Sequence, residues 1–550
     1  MTKNVVGSKI VKKEQVLISI FLIAILVLSS GSMAAFAKSD TYVVSPSGDK
    51  TGATDTPAIQ AALNKCTGGS SHCTVQLLSG TYYISSQITV YGFQGSFVGA
   101  GQGRTNVMAL GNMPSPNPAY NIPCAGYDPT QPGNGCTSLT GDPASGVPYW
   151  VGYPGMGPDG SGSPEGSGTP NPWPAIFTFE GGSIAISGMT IIDTSLTPTL
   201  GYYMPAVDGG MFTTALAAAI LITGPGASAT ASATIDHVSV VGAAGDWFGY
   251  NFATGVYISG RTLPSGWSSA EVDPFLLMGT FSITNSVFED VQSAIQYNFL
   301  INSKAAFCYN TVSSDVPGAA FYAIYVFDLS NTNLLICGNR GTVPNGIAIF
   351  VAQSFLKSGL LPSTVTITGN DLQVTGGASA VVLEDAGEAN WGTPVTLSAV
   401  VSGNVFQDSF PSPYWYYSVI WVATLKSTII SSNTISAGGA PGIYLNGGPG
   451  MISGNTITGA DTGVWLDMAS GVHVAGNAIR NSVEYGISLT SSNVAGSSAT
   501  TPSSKNFIVG NFVHNSGTYD LYWDQATGSI NNHWCGNVYK TSSPSVLPSC

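Results

Sequence analysis

The sequence predicts an all-β chain wound into a parallel solenoid, and three observations lead there. A short phrase ending in Asn recurs through the C-terminal half. A second phrase, G-[IV]-x-L-x, falls between its copies. The composition also suits a stack of turns: only 8% of the 550 residues are charged and 68 are Gly, where soluble domains usually carry about a quarter charged residues. At 44% hydrophobic the chain is too apolar to remain disordered.

The Asn phrase reads ITNSVF, ITGNDL, VSGNVF, ISSNTI, ISGNTI, VAGNAI and IVGNFV, which places Asn285, Asn370, Asn404, Asn433, Asn455, Asn477 and Asn511 in one role. Weaker copies add Asn310, Asn339 and Asn537, and successive spacings run from 22 to 34 residues. A fixed minimum with variable excess is the signature of stacked coils that accept loop insertions. The strand phrase reads GIYLN at 442–446, GVWLD at 463–467, GISLT at 486–490 and, as a variant, DLYWD at 520–524. Alternation with period two over such short runs means strands. The Gly-Asn step suits a sharp bend, since both residues tolerate positive φ. Stacked Asn amides are expected to bond from coil to coil, with Ile452, Ile457, Val464 and Leu466 stacking beside them into one core. A propeller or sandwich would need longer regular periods or hairpin turns, which the sequence lacks.

Residues 1–37 read as a signal peptide. Lys3, Lys9, Lys12 and Lys13 precede an uncharged apolar run from Val16 to Leu28, followed by Ala35-Phe36-Ala37. A retained N-terminal anchor is the alternative, and only then is a membrane a partner. Residues 38–110 are expected to form an N-terminal cap and first coil, with Asp55 or Thr56 as the N-cap of a short helix and Pro57 at its first helical position. Here the chain resembles the pectate-lyase-like (pectin lyase fold) right-handed parallel β-helix superfamily. The residues concerned are Asp55-Thr56-x-Ala58-Ile59-Gln60-Ala61-Ala62-Leu63, Gly80-Thr81-Tyr82 and Val98-Gly99-Ala100-Gly101. The resemblance implies an amphipathic capping helix and right-handed coils. It leaves the chemistry open, because the superfamily includes lyases, hydrolases, epimerases and non-catalytic surface proteins.

Residues 111–174 are a Pro/Gly-rich insertion with Tyr149, Trp150, Tyr153 and Trp173, and residues 175–550 carry the coils and a C-terminal cap. Further insertions at 193–216, 242–254 and 261–279 are expected to wall a cleft on one side of the early coils. Eight Cys in near-neighbour pairs suggest the disulfides Cys66–Cys73, Cys124–Cys136, Cys308–Cys337 and Cys535–Cys550 in an exported protein. The five His are scattered and no C-x-x-C occurs, so no metal site is expected.

In the strand phrase the third and fifth positions are expected to face solvent. The third position carries Tyr257, Gln296, Tyr325, Ala348, Val382, Trp421, Tyr444, Trp465, Ser488 and Tyr522. Flat rings on a rigid face suit the apolar faces of sugars, and the resemblance points to the same strand as a polysaccharide groove. Mutual covering of strand aromatics is the alternative. The fifth position adds Asn298, Glu384, Asn446, Asp467, Thr490 and Asp524, with Asp520 opening its own coil. Asp467 and Asp524 lie two coils apart, about 9–10 Å by strand spacing, near the upper end for an inverting carboxyl pair. They read either as acid and base or as a solvated acidic edge. Asp246, within GDWFGYN, is a third catalytic candidate or a loop-turning residue.

A formal charge of −13 with sparse Lys and Arg argues against nucleic acid. The sequence also departs from relatives within the superfamily. It has no adjacent Asp-Asp followed by Gly-His-Gly and Arg-x-Lys, as in polygalacturonases. No Arg stands beside an Asp cluster, as in calcium-dependent pectate lyases. Calcium is therefore expected only if the substrate is a polyuronate, and neutral glycans suit an acidic protein better. The expectation is a secreted or cell-surface protein that cleaves a polysaccharide glycosidic bond, by hydrolysis or elimination, in a groove along one sheet. The alternative is a non-catalytic glycan-binding or surface β-helix. The sequence does not fix the oligomeric state.

Overall fold

A computed structural model describes residues 40–68, 73–110, 175–193, 216–224, 229–243, 252–259, 276–316, 322–353, 361–376, 379–385, 394–412, 417–491, 502–525 and 529–550. Tyr42 to Cys550 form one compact unit. Each coil contributes three short strands, as in Ile443–Asn446, Gly450–Ser453 and Thr456–Thr458, and the next coil repeats them as Thr462–Asp467, Val472–Ala475 and Ala478–Arg480. Equivalent strands pair in parallel, so Ile443 faces Val464, Gly450 faces Val472 and Thr456 faces Ala478. The same register runs on through the described coils, making three faces that here take the names one, two and three in chain order. Strands that satisfy each other only through the next coil leave edges solely at the two ends.

The corner between faces two and three explains the Asn phrase. Gly338, Gly369, Gly403, Gly454, Gly476, Gly510 and Gly536 hold φ of +59° to +65° there, a backbone state that Gly adopts without penalty. The next residue is the ladder asparagine. From Asn310 through Asn339, Asn370, Asn404, Asn433, Asn455, Asn477 and Asn511 to Asn537, each Nδ2 donates to the next Oδ1 at 2.9–3.1 Å. That Oδ1 also accepts the main-chain N–H of the preceding asparagine, for example Asn404 N–H to Asn433 at 3.0 Å. A buried amide is thereby satisfied on both its atoms.

Asn285 departs from the expectation. Its phrase lacks Gly, so Asn285 itself takes the left-handed corner at φ 50°, a state that Asn tolerates. Ser286 then fills the ladder position, donating its N–H to Asn310 Oδ1 at 3.0 Å. His237, at φ 53°, is likewise a corner residue.

Inside the stack, Ile452, Ile457, Val464 and Leu466 are wholly buried in one continuous core. The N-terminal end is covered by the helix Asp55–Asn64, which turns Ile59, Ala62 and Leu63 inward. Thr54, one residue before the expected caps, is its N-cap. Asp55 instead bridges the cap to the first coil, accepting the N–H groups of Ser47 at 2.9 Å and Tyr83 at 3.0 Å. Disulfides join Cys66 to Cys73, Cys308 to Cys337 on neighbouring coils, and Cys535 to Cys550. Cys124, Cys136 and the 111–174 insertion lie outside the described residues. Among the described residues no helix is long and apolar enough to cross a membrane.

Candidate functional site

Face one brings the candidate residues into two outward columns. The first runs Tyr257, Gln296, Tyr325, Phe350, Val382, Trp421, Tyr444, Trp465, Ser488 and Tyr522, each paired with the next. Phe350 holds the place the sequence assigned to Ala348, which is buried in the core. The alternation in GIAIFVA, 346–352, fits strands centred on either residue, and only the pairing of Ile349 with Ile324 decides between them. The second column runs Asn298, Phe327, Ala352, Glu384, Ala423, Asn446, Asp467 and Thr490. Asp524 continues it, and Asp246 lies outside the described residues.

These side chains are not uniformly open to solvent. Tyr257 and Tyr444 are only 3% and 1% exposed. Burial pushes the Tyr257 hydroxyl up to about 12, and that oxygen accepts Asn298 Nδ2 at 2.8 Å. Tyr325 is half-buried, stacks on Phe350 at 4.9 Å and meets Phe327 and Tyr322 edge-on. Trp421, Trp465 and Tyr522 keep partly exposed rings. Trp421, Tyr444 and Trp465 therefore do not present one continuous row of flat rings. Tyr444 stands at 89° to Trp465, with ring centres 5.5 Å apart. A network accounts for the tilt: Tyr444 donates its hydroxyl to Asp467 Oδ2 at 3.1 Å and accepts Asn446 Nδ2 at 3.1 Å.

The carboxylates fare differently from one another. Asp467 is 2% exposed, and Thr490 donates to its Oδ1 at 2.8 Å while Trp465 Nε1 donates to the same threonine oxygen at 2.9 Å. Asp524 accepts the Ser491 N–H at 2.7 Å. Asp520, expected at the substrate surface, is instead a buried clamp for the C-terminal cap. Its oxygens accept the N–H groups of Ser516, Lys540 and Thr541 at 3.1, 2.7 and 3.2 Å. Burial raises its pKa, but these donors outweigh burial and leave it below the ordinary carboxylate value. Glu384 is half-buried and shifted upward, first by burial and then by the neighbouring Asp385. Asp467, Asp524 and Asp520 thus hold structural partners that a strand pattern alone does not display.

Tyr485 and Tyr519, which the sequence did not single out, join Tyr522 at the edge of face one. Tyr485 stacks on Tyr522 at 4.5 Å and lies parallel to Tyr519 at 6.5 Å, all three rings half-exposed. The Tyr485 hydroxyl bonds to Glu484, whose N–H donates to the Asp461 carbonyl of the preceding coil at 2.9 Å. Asp461 is 7% exposed, and its pKa is raised to about 6, mainly by burial and then by the charge of Glu484. Asp461 and Glu484 precede the strand phrase, in a segment whose coil-to-coil alignment emerges only from the Thr462–Tyr485–Tyr519 pairing. Among the described residues no group of three or more His, Cys, Asp or Glu is arranged to hold a metal ion.

Residues 361–532 match a family described as "Right handed beta helix region". The chain is a right-handed parallel β-helix. Three solved structures are similar to it. The A-module of the Azotobacter vinelandii mannuronan C-5 epimerase is 12% identical, with 90% of this chain and 92% of that one covered at a TM-score of 0.32. The catalytic unit of a GH87 α-1,3-glucanase from Streptomyces thermodiastaticus is 13% identical, with 92% and 71% covered at 0.42. Tailspike protein 3 of bacteriophage CBA120 is 12% identical, with 92% and 61% covered at 0.39. No curated protein sequence matches the β-helix.

Proposed function

We propose that this β-helix is an exported carbohydrate-active protein that binds a polysaccharide along face one and cleaves a glycosidic bond there. The observation that carries the reading is the outward column of rings from Tyr325 and Phe350 through Trp421 and Trp465 to Tyr522. Seven coil steps separate its ends, a run of about 34 Å at the usual strand spacing. Partly exposed rings at intervals along a rigid track match the alternating apolar faces of an extended sugar chain. The acidic balance of the chain, −13, favours a neutral glycan over a polyuronate. Calcium enters only for a polyuronate substrate.

Glycan binding without cleavage is the second reading, favoured by the structural hydrogen bonds that occupy Asp467 and Asp524. A screen of dextran, mannan, xylan, mixed-linkage glucan, alginate and polygalacturonate, with and without calcium, separates the two. Reducing ends or unsaturated products appear in one case and retention alone in the other. Trp421→Ala combined with Trp465→Ala is expected to weaken retention at least tenfold while the fold survives. Undiminished retention on every glycan that the unmodified protein binds would remove the ring column from the argument.

A further inference from the structure

We infer that the outer side of face two is the surface through which two copies of this chain pair into a reversible dimer. The inference is independent of the polysaccharide reading, which uses face one.

Face two differs from its neighbours in charge. Its eight strands from Asn333–Cys337 to His533–Cys535 contain no Asp, Glu, Lys or Arg. Over the same coils face one carries Glu384 and Asp467 in its outward column, and face three exposes Arg340, Asp371 and Arg480.

Face two is also apolar where it meets water. Its central outward column runs in unbroken register from Leu335 through Ile429, Met451 and His473 to Phe507 and His533. Leu335, Ile429 and Met451 are 39%, 37% and 41% exposed. The rings of His473, Phe507 and His533 continue the column as a stack, with centres 4.9 Å apart at each step. Short hydroxyl side chains flank it, Ser398 and Ser427 on one side and Ser402, Ser431 and Ser453 on the other. They lose little rotamer freedom on contact and leave the face flat. Parallel sheets usually have both faces covered, and a contiguous apolar patch on a protein surface marks a contact site.

Charge selects the occupant. A face without cations offers nothing to a nucleic acid or an anionic lipid surface, and one without carboxylates offers nothing to a basic peptide. The partner it fits is an equally flat, uncharged sheet, and the same face on a second copy supplies one. The formal charge of −13 narrows the choice further. Two copies repel wherever their carboxylates meet, and through face two they approach without opposing any. A two-fold pairing lays the column against itself.

The area agrees. Seven coil steps and five-residue strands such as Ser427–Ser431 span roughly 34 by 16 Å, on the order of 550 Å² from each copy. The pair buries about 1,100 Å², just above the roughly 1,000 Å² that a specific contact needs. A contact of that size is expected to hold in the micromolar range.

Sedimentation equilibrium of the full exported chain at about 1 to 200 μM tests the pairing. The parent should pass from one to two chain masses across that range. Ile429→Glu combined with Met451→Glu places carboxylates of both copies in the contact and should raise the dissociation constant at least a hundredfold. Thr434→Glu combined with Thr456→Glu adds the same charge to exposed register partners on face three, and should leave the constant within about threefold. Val509→Glu, at 38% exposed on the same outer side of face two, is the second disruptive variant should the first pair lower the melting temperature. Raising salt from about 0.05 to 1 M should tighten the parent dimer, because it screens the repulsion between acidic bodies and leaves the apolar contact in place. A parent monomeric throughout, a dimer that survives both face-two variants, equal weakening by the face-three pair, or a dimer loosened by salt each overturns the inference. Polysaccharide retention lost in the face-two pair while the parent stays monomeric assigns the surface to a sugar chain and overturns it as well.

Discussion

Asp408 offers a direct test of how a charged residue is carried inside the solenoid. Its strand, Val405–Asp408, pairs so that Asp408 faces Val374, which in turn faces Val343. Both valines are wholly buried, so a carboxyl stands in what is otherwise an apolar column. One oxygen accepts the Phe410 N–H at 2.8 Å, and the other has no partner among the described residues. Burial raises the pKa from 3.8 to about 7, with the Phe410 hydrogen bond pulling the other way.

A folded-state pKa above the unfolded value means that the native protein binds this proton more tightly. Its contribution to stability is complete below about pH 4 and is lost as pH rises through about 7. A shift of three units corresponds to a loss of up to about 4 kcal/mol. Asp408→Val continues the column and removes the ionisable group, at a cost of about 1 kcal/mol for the lost Phe410 bond. Urea unfolding of both proteins at intervals from pH 4 to pH 8 isolates the effect, because all other titrating groups cancel in the difference. The variant should be slightly less stable than the parent at pH 4 and more stable by about 2–3 kcal/mol at pH 8. Parallel stability curves for the two proteins across that range would refute the placement of an unpaired carboxyl in the core.

Two further outcomes probe the ladder and the cap. Asn433→Ala removes the acceptor for both donors of Asn404 and the donations to Asn455 and Val401. It should cost about 3 kcal/mol or more in thermal or urea unfolding, whereas Ser427→Ala on the exposed outer surface should stay within about 0.5 kcal/mol. Asp520→Asn places an amide N–H against the main-chain donors of Lys540 and Thr541. Hydrogen exchange should then lose protection at those two residues first, and unchanged protection would deny Asp520 its role as a clamp.

The sequence alone determined the solenoid. Parallel stacking forces each coil to repeat the same corner and the same buried amide, so Gly-Asn steps such as 369–370 and 454–455 leave a periodic trace that needs no knowledge of long-range contacts. The disulfide between Cys308 and Cys337 followed from the near-neighbour spacing of the cysteines. Alternation within GVWLD likewise placed Trp465 and Asp467 on the outer side of face one. Alternation says which side a residue faces, however, and not what covers it there. Tyr444 and Asp467 point outward yet are buried in a hydrogen-bond network, and Asp520 is claimed by the backbone of a segment twenty residues downstream. Where two registers fit one phrase, as at Ala348 and Phe350, only the pairing between coils chose. The meeting of Asp461 with Glu484 also belongs to the tertiary structure. The two are 23 residues apart in the chain, and no local pattern links them until winding lays one coil on the next.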